Sequence, residues 1–298
     1  MRILIIGCKG FIGSHLMRFF ADRHDVWGCD IIEDSSSNYI KLPEVADAFL
    51  RIFRMKQWDV CINCSGSASV PMSLQRPLND FELNTVNVGR MLDAIRETGG
   101  YCRFINMSSA AVYGNPAHLP IRETDTTQPV SPYGCHKLMA EQLCSEYDRF
   151  WGVRSCSVRL FSAYGPGLRK QLLWDVAIKA SKNDAIELFG TGNETRDFIY
   201  VTDIARMIGI VIDNDYFGDK IINCANGVQI SVREIVSTIM TELDCRKPVV
   251  FQGHNRAGDP LNWEADITDA RRLGYSPSVE ITSGIHNYIS CLKEEGLL

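Results

Sequence analysis

Tyr133 and Lys137 stand four residues apart in the stretch VSPYGCHKLMAEQ, and a pair of this kind could move protons. Residues at this spacing share one face of a helix, so the pair is also typical of an ordinary surface contact. A free tyrosine has a pKa of about 10, and a nearby ammonium group favours its phenolate form. The pair would therefore be a general base near neutral pH if the rest of the chain supplies a pocket for it.

Two hydroxyl groups, those of Ser108 and Ser109, end the apolar run RFINMSS, which has the pattern of a buried strand. Ligands of doubly wound sheets bind at the carboxyl ends of the strands. We therefore expect these serines to lie near Tyr133 and Lys137 and to complete a proton-handling set.

A glycine-rich turn, GCKGFIG, places Gly7, Gly10 and Gly13 between the first predicted strand and the first predicted helix. Glycine there lets the backbone approach a pyrophosphate, and the helix N-terminus faces the negative charge. Three glycines alone are a weak signal, and the strand–turn–helix context strengthens it. The turn predicts a dinucleotide site.

The choice between NAD and NADP depends on two charged residues. Asp30 ends the second predicted strand, where a carboxylate can accept hydrogen bonds from the ribose hydroxyls of adenosine and repel a 2′-phosphate. Lys9, inside the glycine turn, could instead attract that phosphate. We expect NAD, with NADP as the alternative.

The elements that must position these residues alternate along the first half of the chain. Short apolar runs predict strands, namely RILIIG, DVWGCDI, DVCINC, RFINMSS and RSCSVRLF. Helical periodicity separates them, in FIGSHLMRFFADR, PEVADAFLRIFRM, FELNTVNVGRMLDAIRETG and the segment that contains Tyr133. This alternation predicts a parallel sheet covered by helices on both faces.

The rhythm changes after Ser162, and RDFIYVTDIARMIGIVI and KIINCANG predict returns to the sheet. We therefore expect an α/β fold, a doubly wound parallel sheet with a smaller, discontinuous C-terminal lobe. Residues 1–162 and about 197–225 would form a dinucleotide-binding domain. Residues 163–196 and 226–298 would form the substrate lobe.

Composition excludes several classes of function. The formal net charge of -5 argues against broad, charge-driven binding of nucleic acid. No apolar run is long enough to cross a membrane and no signal cleavage site is evident, so we expect a cytoplasmic protein without membrane contact. Eleven cysteines without paired spacing predict reduced thiols. CINC lies inside an apolar run, so we expect no metal site there.

Six ordered boxes span nearly the whole chain: GCKGFIG, SSAAVYG, SPYGCHK, RLFSAYGPG, RDFIYVTD and RAGD. In these boxes the sequence resembles the extended short-chain dehydrogenase/reductases, within them the nucleotide-sugar epimerase/dehydratase group. The resemblance implies a Rossmann sheet, an NAD cofactor and a nucleotide-diphosphate sugar as substrate. It also implies a homodimer formed through two long helices of the first domain.

The resemblance implies a role for each member of the proton-handling set. Tyr133 would be the catalytic acid/base. Lys137 would bind the nicotinamide ribose and lower the pKa of Tyr133. Ser109 would hydrogen-bond the sugar hydroxyl or carbonyl that reacts.

The cofactor-binding set that follows from the glycine turn and the resemblance has ten members. They are Gly7, Gly10, Phe11, Ile12, Gly13, Asp30, Asn84, Ser108, Tyr133 and Lys137. Phe11 and Ile12 would act through their backbone. For Asn84 an ordinary polar helix position is nearly as good an interpretation.

Arg196 and Arg256 lie in the second half of the chain, away from the glycine turn. Arginine can engage phosphate oxygens in a bidentate way. The resemblance implies that both arginines clasp the nucleotide diphosphate and that Asp259 meets its ribose. Surface ion pairs are the alternative, and the aromatic residues Phe161, Trp174 and Trp263 could line the pocket or belong to the core.

Several positions depart from the family pattern. Ser162 stands where the family has an asparagine that touches the substrate phosphate. Ala110 and Ala111 stand where its dehydratases have an Asp–Glu pair, so 4,6-dehydration is not expected. The box NCSG replaces H.AA, and no usual adenine contact is recognisable from Tyr39 to Pro43.

We expect an epimerase that acts through a keto intermediate, with a proton moved by Tyr133 and a hydride held by NAD. The alternative is an NAD(P)H-dependent 4-keto-sugar nucleotide reductase of deoxysugar or polysaccharide biosynthesis, which would use the same residues. A non-catalytic dinucleotide sensor is disfavoured, since such a protein would not need Tyr133, Lys137 and Ser109 together.

Overall fold

The computed structural model describes residues 1–254 and 256–298. The strands are β1 (Arg2–Ile6), β2 (Asp25–Asp30), β3 (Tyr39–Lys41), β4 (Val60–Asn63), β5 (Arg103–Ser109), β6 (Ser155–Leu160), β7 (Ser162–Tyr164), β8 (Ile186–Leu188), β9 (Thr195–Tyr200), β10 (Lys220–Cys224), β11 (Gln229–Ser231) and β12 (Val249–Phe251).

The α-helices within the described residues are α1 (Phe11–Ala21), α2 (Ala48–Met55), α3 (Val70–Gln75), α4 (Pro77–Phe81), α5 (Asn87–Glu97), α6 (Pro132–Trp151), α7 (Gln171–Lys182), α8 (Val201–Asp213), α9 (Val232–Glu242), α10 (Thr268–Arg272) and α11 (Ile281–Glu294). A π-helical turn, Glu82–Val86, precedes α5, and a 3-10 turn, Ala110–Val112, follows β5.

A seven-stranded sheet in the order β10-β6-β5-β4-β1-β2-β3 forms the centre of the molecule. Its strand pairs are parallel. Alternate residues of β1 face opposite sides: Ile3 and Ile5 join a core with α1 and α8, whereas Leu4 and Ile6 join a core with α2, α5 and α6. The sheet is therefore buried on both faces, which confirms the predicted doubly wound α/β fold.

A smaller lobe carries its own core. The three-stranded sheet β11-β9-β7 and the pair β12-β8 pack with α7, α9 and α11. Asp197, on β9, ties the lobe's segments together because its carboxylate accepts the backbone N–H groups of Asn226, Gly227, Val228 and Ala265 at 2.8 to 3.2 Å.

The structure differs from the sequence pattern in four places. The strand in RDFIYV belongs to the small sheet, while α8 after it and β10 return to the central one. Residues 263–275 contribute side chains to the central-sheet core, so the boundaries drawn for the two domains stay a prediction. The short strand β3 was not foreseen, and α2 begins only at Ala48.

No helix in the described part of the chain is long and apolar enough to cross a membrane. The eleven cysteines, all within the described residues, carry free thiols. Among the same residues no group of three or more His, Cys, Asp or Glu side chains is arranged to hold a metal ion.

Candidate active site

The N-terminus of α6 presents Tyr133 and Lys137 at the carboxyl edge of the central sheet. Ser131 begins the helix, and its hydroxyl accepts the N–H of Gly134 at 3.2 Å. Lys137 is only 6% exposed, and its Nζ donates to the carbonyl of Met107 at 2.9 Å. The same Nζ lies 5.9 Å from the centre of the Tyr133 ring, so the two side chains share one pocket.

The two serines that end β5 point to different places, because side chains alternate across a strand. Ser109 lies at the pocket, where its Oγ accepts the N–H of Ala111 at 3.1 Å. Ser108 is 2% exposed and donates to Glu141, whose carboxylate pairs with Arg159 at 2.7 Å. The structure thus brings Ser109 to the tyrosine and gives Ser108 a partner in the core.

Burial controls the protonation of the pair. It raises the pKa of Tyr133 to about 12, although a hydrogen bond from Ser109 acts to lower that pKa. It lowers the pKa of Lys137 to about 8, while the negative charge of Asp80 acts to raise it. Within the protein alone the charge of Lys137 makes no resolved contribution to the pKa of Tyr133, so the predicted lowering by Lys137 stays a prediction for the complete site.

Two of the three glycines of the turn are required for steric reasons. Gly7 has φ +80°, and a Cβ there would lie 2.6 Å from the backbone N of Ser65. A Cβ on Gly13 would lie 2.2 Å from the carbonyl oxygen of Gly7, so α1 can approach the turn only without one. Gly10 begins α1 without a side-chain cap. The result is an open backbone cradle at a helix N-terminus, which fits a pyrophosphate.

Phe11 and Ile12 open α1, and their side chains are occupied by packing. Phe11 packs against the core of the smaller lobe, and Ile12 against that of the central sheet. The first N–H groups of a helix have no intrahelical partner. These residues would therefore contact a dinucleotide through their backbone.

Asp30 lies at the end of β2 beside the glycine turn, and its carboxylate accepts the N–H of Lys9 at 2.9 Å and that of Ile31 at 2.8 Å. The ammonium of Lys9 pairs with Asp34 and lies 5.1 Å from the centre of the Tyr39 ring. The carboxylate of Asp30, at the same place, would repel a 2′-phosphate. The residues present fit NAD.

Asn84 belongs to the π-helical turn, a distortion that often marks functional sites. Its Nδ2 donates to the carbonyl of Ser67 at 3.0 Å, and the residue is 1% exposed. Its Oδ1 is buried and has no hydrogen-bond partner among the described residues. A buried acceptor of this kind is rare, which favours a site position over an ordinary helix position.

Arg196 is held by the protein itself. Its guanidinium donates to the carbonyls of Thr195, Pro260 and Leu261 at 2.8 to 3.1 Å and lies 5.5 Å from the centre of the Trp263 ring. Burial lowers its pKa, while the charge of Asp259 acts in the opposite direction. Arg196 therefore fastens the segment around Pro260 to β9.

Arg256 and Asp259 form an ion pair at 3.1 Å, three residues apart. Both act electrostatically on Arg196, so the structure brings the three predicted substrate residues into one region. Contact with a diphosphate would require Arg256 to exchange its partner. The role of all three in substrate binding stays a prediction.

The aromatic candidates divide between core and surface. Phe161 and Trp263 pack edge to face in the central-sheet core, with their ring centres 5.9 Å apart. The indole N–H of Trp263 donates to the carbonyl of Gly114. Trp174 is partly buried against the smaller lobe, with the guanidinium of Arg169 5.8 Å from its ring centre.

Sequence reasoning missed one buried pair beside the site, Asp80 and His136. His136 Nδ1 lies 2.6 Å from Asp80 Oδ2, and both residues are shielded from solvent. The available signal was a histidine inside the SPYGCHK box, one residue before Lys137. Its acidic partner lies more than fifty residues earlier, and no local pattern connects the two.

Comparisons with known proteins agree with this geometry. The model described as "NAD dependent epimerase/dehydratase family" matches residues 3–225. The UDP-glucose 4-epimerase of Azospirillum brasilense is 30% identical over 95% of this chain and 89% of its own length. A putative UDP-glucose 4-epimerase of Methanocaldococcus jannaschii is 28% identical over 98% of both chains.

Solved structures show the same fold. The complex of MoeE5 with UDP-glucuronic acid and NAD has a TM-score of 0.90 and 25% identity, covering 99% of this chain and 100% of the other. The UDP-glucose 4-epimerase of Thermotoga maritima, solved with UDP-glucose, has a TM-score of 0.89 and 23% identity over 99% of each chain.

Proposed function

The chain belongs to the NAD-dependent epimerase/dehydratase family, and from this we propose that it epimerises a nucleotide-diphosphate sugar, with UDP as the nucleotide. The observation that carries the proposal is the placement of Tyr133, Lys137 and Ser109 in one pocket at the carboxyl edge of the sheet. The glycine cradle and Asp30 at the same edge fit NAD as the cofactor. The relatives named as UDP-glucose 4-epimerases support a reaction at C4 of the sugar.

In the proposed reaction the phenolate of Tyr133 takes the proton from the reacting sugar hydroxyl and later returns it to the same oxygen. Ser109 hydrogen-bonds that oxygen and stabilises the phenolate. Lys137 contributes a positive charge below a pH of about 8, which favours the phenolate beside it. NAD, held by the backbone of the turn from Gly7 to Gly13 and by Asp30, would supply the reversible hydride chemistry that converts the sugar into a keto intermediate and back.

The alternatives lose support from the same contacts. A reductase that consumes NADPH is favoured by Lys9, whereas the carboxylate of Asp30 beside the glycine turn disfavours it, since it would repel a 2′-phosphate. A dehydratase would need an acid after Ser109, where Ala110 and Ala111 stand. A non-catalytic sensor would not require Tyr133 and Lys137 to share a pocket.

We also propose that the protein is a homodimer of the cytoplasm that binds neither nucleic acid nor membrane. Exposed apolar side chains on α6 support an interface between copies, namely Met139, Phe150 and Trp151, which are 42%, 64% and 47% exposed. Sedimentation velocity of the purified protein tests the oligomeric state, and a monomer at micromolar concentration would contradict it.

The proposal is tested by incubating the purified protein with UDP-glucose, UDP-galactose or UDP-glucuronic acid, without added cofactor, and separating the products chromatographically. We expect an isomer of at least one sugar. Tyr133→Phe should lower kcat by about a thousandfold, because general acid–base catalysis contributes on that order. Tyr101→Phe, a change at an exposed tyrosine, is the control and should keep full activity. Undiminished turnover by Tyr133→Phe would refute the assignment.

A further inference from the structure

Asp80 and His136 form a buried pair directly behind the catalytic turn of α6. Asp80 is 2% exposed, His136 is 9% exposed, and His136 Nδ1 lies 2.6 Å from Asp80 Oδ2. The ring of Phe81 packs edge to face against the imidazole at 5.4 Å. A buried carboxylate is costly unless it is paired, so its place beside the catalytic pair points to a role for its charge.

The pair joins three elements around the pocket. Asp80 belongs to α4, which runs into the π-helical turn, and His136 belongs to α6, one residue before Lys137. Thr85, in the π-helical turn, donates from its hydroxyl to the carbonyl of His136 at 2.9 Å. The first turn of α6 is thereby fixed against the segment that carries Asn84.

One carboxylate oxygen of Asp80 is left over. Its Oδ2 faces His136, whereas its Oδ1 is buried and has no hydrogen-bond partner among the described residues. An unneutralised oxygen in a poorly solvated place exerts a strong field on neighbouring charges. The negative charge of Asp80 acts to raise the pKa of Lys137, because it stabilises the ammonium form. It also acts to raise the pKa of Tyr133, because it destabilises the phenolate form.

Other titratable groups that face Lys137 come from several elements. They are Tyr133 and His136 on its own helix, Glu141 one turn further on, Cys64 after β4, and Lys170 before α7. Glu141 already has Arg159 as an ion-pair partner, and Lys170 repels the ammonium. Asp80 is therefore the carboxylate best placed to offset the burial of Lys137.

We propose that Asp80, oriented by His136, is a positioning residue that keeps Lys137 protonated at neutral pH and holds the catalytic turn of α6 in place. The inference rests on the proposed function, in which Tyr133 and Lys137 carry the reaction. It adds a second layer behind them, built from residues that do not touch the substrate.

The experiment measures the titration of Lys137 directly, by NMR of protein labelled with ¹³C at the lysine ε carbons. Lys137→Met assigns the resonance. In the native protein the midpoint should lie near 8. In Asp80→Asn it should fall by about one pH unit, because an opposite charge nearby has been removed. The alkaline limb of the kcat profile should move down by a similar amount.

Two variants separate charge from packing. His136→Asn keeps a hydrogen-bond donor for Asp80 and leaves its charge, so the Lys137 midpoint should not fall. Asp269→Asn removes a carboxylate on α10 that pairs with Arg272, and should leave the midpoint unchanged. Should Asp80→Asn fail to fold, Asp80→Ser removes the same charge with a smaller side chain and carries the same expectation.

An unchanged or raised midpoint in a folded Asp80 variant would overturn the inference. If the Lys137 midpoint fell as far in His136→Asn as in Asp80→Asn, the role of the Asp80 charge would also be refuted. Packing around the pair, and not the charge, would then set the midpoint. The NMR titration does not depend on turnover, so the two hypotheses can fail separately. An active Tyr133→Phe refutes the proposed function. An inactive Tyr133→Phe, together with an unmoved Lys137 midpoint in Asp80→Asn, refutes only the role of Asp80.

Discussion

The proposed cofactor end and the proposed substrate end of the site are built by different means. At the cofactor end the decisive contacts come from the backbone, where Gly7 and Gly13 allow a strand and a helix to approach closely. At the substrate end they come from long side chains, and Arg196 and Arg256 donate to the protein's own carbonyls and to Asp259. The backbone of the glycine turn is fixed by the fold. The arginines Arg196 and Arg256, here called the clasp, would have to exchange their protein partners for a ligand's phosphate oxygens.

This difference has an energetic consequence. The pair between Arg256 and Asp259 is partly exposed, and such pairs contribute about 0.2 to 1 kcal/mol. Breaking it to bind a phosphate costs little. A Cβ forced to within 2.2 Å of a backbone oxygen, in contrast, has no flexible group to displace. Substitutions should therefore be severe at the cofactor end and graded at the substrate end.

The largest effect in this comparison is expected for Gly13→Ala. The new methyl group would push α1 away from the carbonyl of Gly7, and overpacking of this kind costs about 1 to 3 kcal/mol or more. If that cost falls on the NAD-bound geometry, affinity for NAD drops by about a hundredfold. Fluorescence titration with NAD and a thermal melt measure the two losses.

Gly10→Ala is the matched control in the same turn. Its Cβ would lie 3.2 Å from the carbonyl oxygen of Gly7, a contact that a small shift relieves, and its φ of -72° suits alanine. We expect a much smaller loss of NAD affinity. Equal losses in the two variants would contradict the steric account of Gly13.

Ser109 stands where the two ends meet, and Ser109→Ala should lower kcat by about 10- to 100-fold. A hydrogen bond to a charged group contributes about 1.5 to 3 kcal/mol, and this one stabilises the phenolate of Tyr133. Its loss raises the pKa of Tyr133, so the limb of the kcat profile that rises with pH should move to higher pH. A limb that stays in place, or that moves to lower pH, would show that Ser109 acts on the sugar alone. Ser108→Ala, a change in the buried core, should leave the limb where it is.

Features that depend on local backbone could be predicted from the sequence, and features that depend on distant contacts could not. The glycine turn, Asp30 and the pair on α6 were predictable because each depends on a short contiguous pattern that fixes local backbone. The alternation of strands and helices gave the doubly wound sheet for the same reason. These are short-range features, and the fold needs little else to place them.

What could not be predicted depends on contacts between distant segments. The resemblance in the box SSAAVYG assigned Ser109 to the pocket, but nothing in that box shows that the hydroxyl of Ser108 donates to Glu141. Two of the carbonyls that accept from Arg196, those of Pro260 and Leu261, lie more than sixty residues away in the chain. The pairing that places β9 in the small sheet joins Ser162 to Phe198, which is also a long-range contact. Asp80 and His136 meet only because α4 and α6 pack together.

Asp30→Asn should change cofactor choice more than stability. The amide cannot accept hydrogen bonds from both ribose hydroxyls, so affinity for NAD should fall by about tenfold. It also no longer repels a 2′-phosphate, so the ratio of NAD affinity to NADP affinity should become smaller. Titrations with both dinucleotides measure the ratio. Asp34→Asn releases the ammonium of Lys9 and should raise NADP affinity while leaving that for NAD unchanged. A preference that survives in both variants would place the selection elsewhere.

The smallest effect is expected at the substrate end, where Arg256→Ala should raise KM for the nucleotide sugar about fivefold and leave both kcat and the melting temperature unchanged. The estimate follows from the modest free energy of a partly exposed ion pair that is exchanged for a phosphate contact. Arg196→Ala is the informative partner variant. It also removes the two hydrogen bonds that fasten the segment around Pro260, so it should raise KM and lower the melting temperature together. If Arg256→Ala instead abolished turnover, the arginines would tolerate substitution no better than Gly7 and Gly13 do. The proposed difference in tolerance between the two ends of the site would then be wrong.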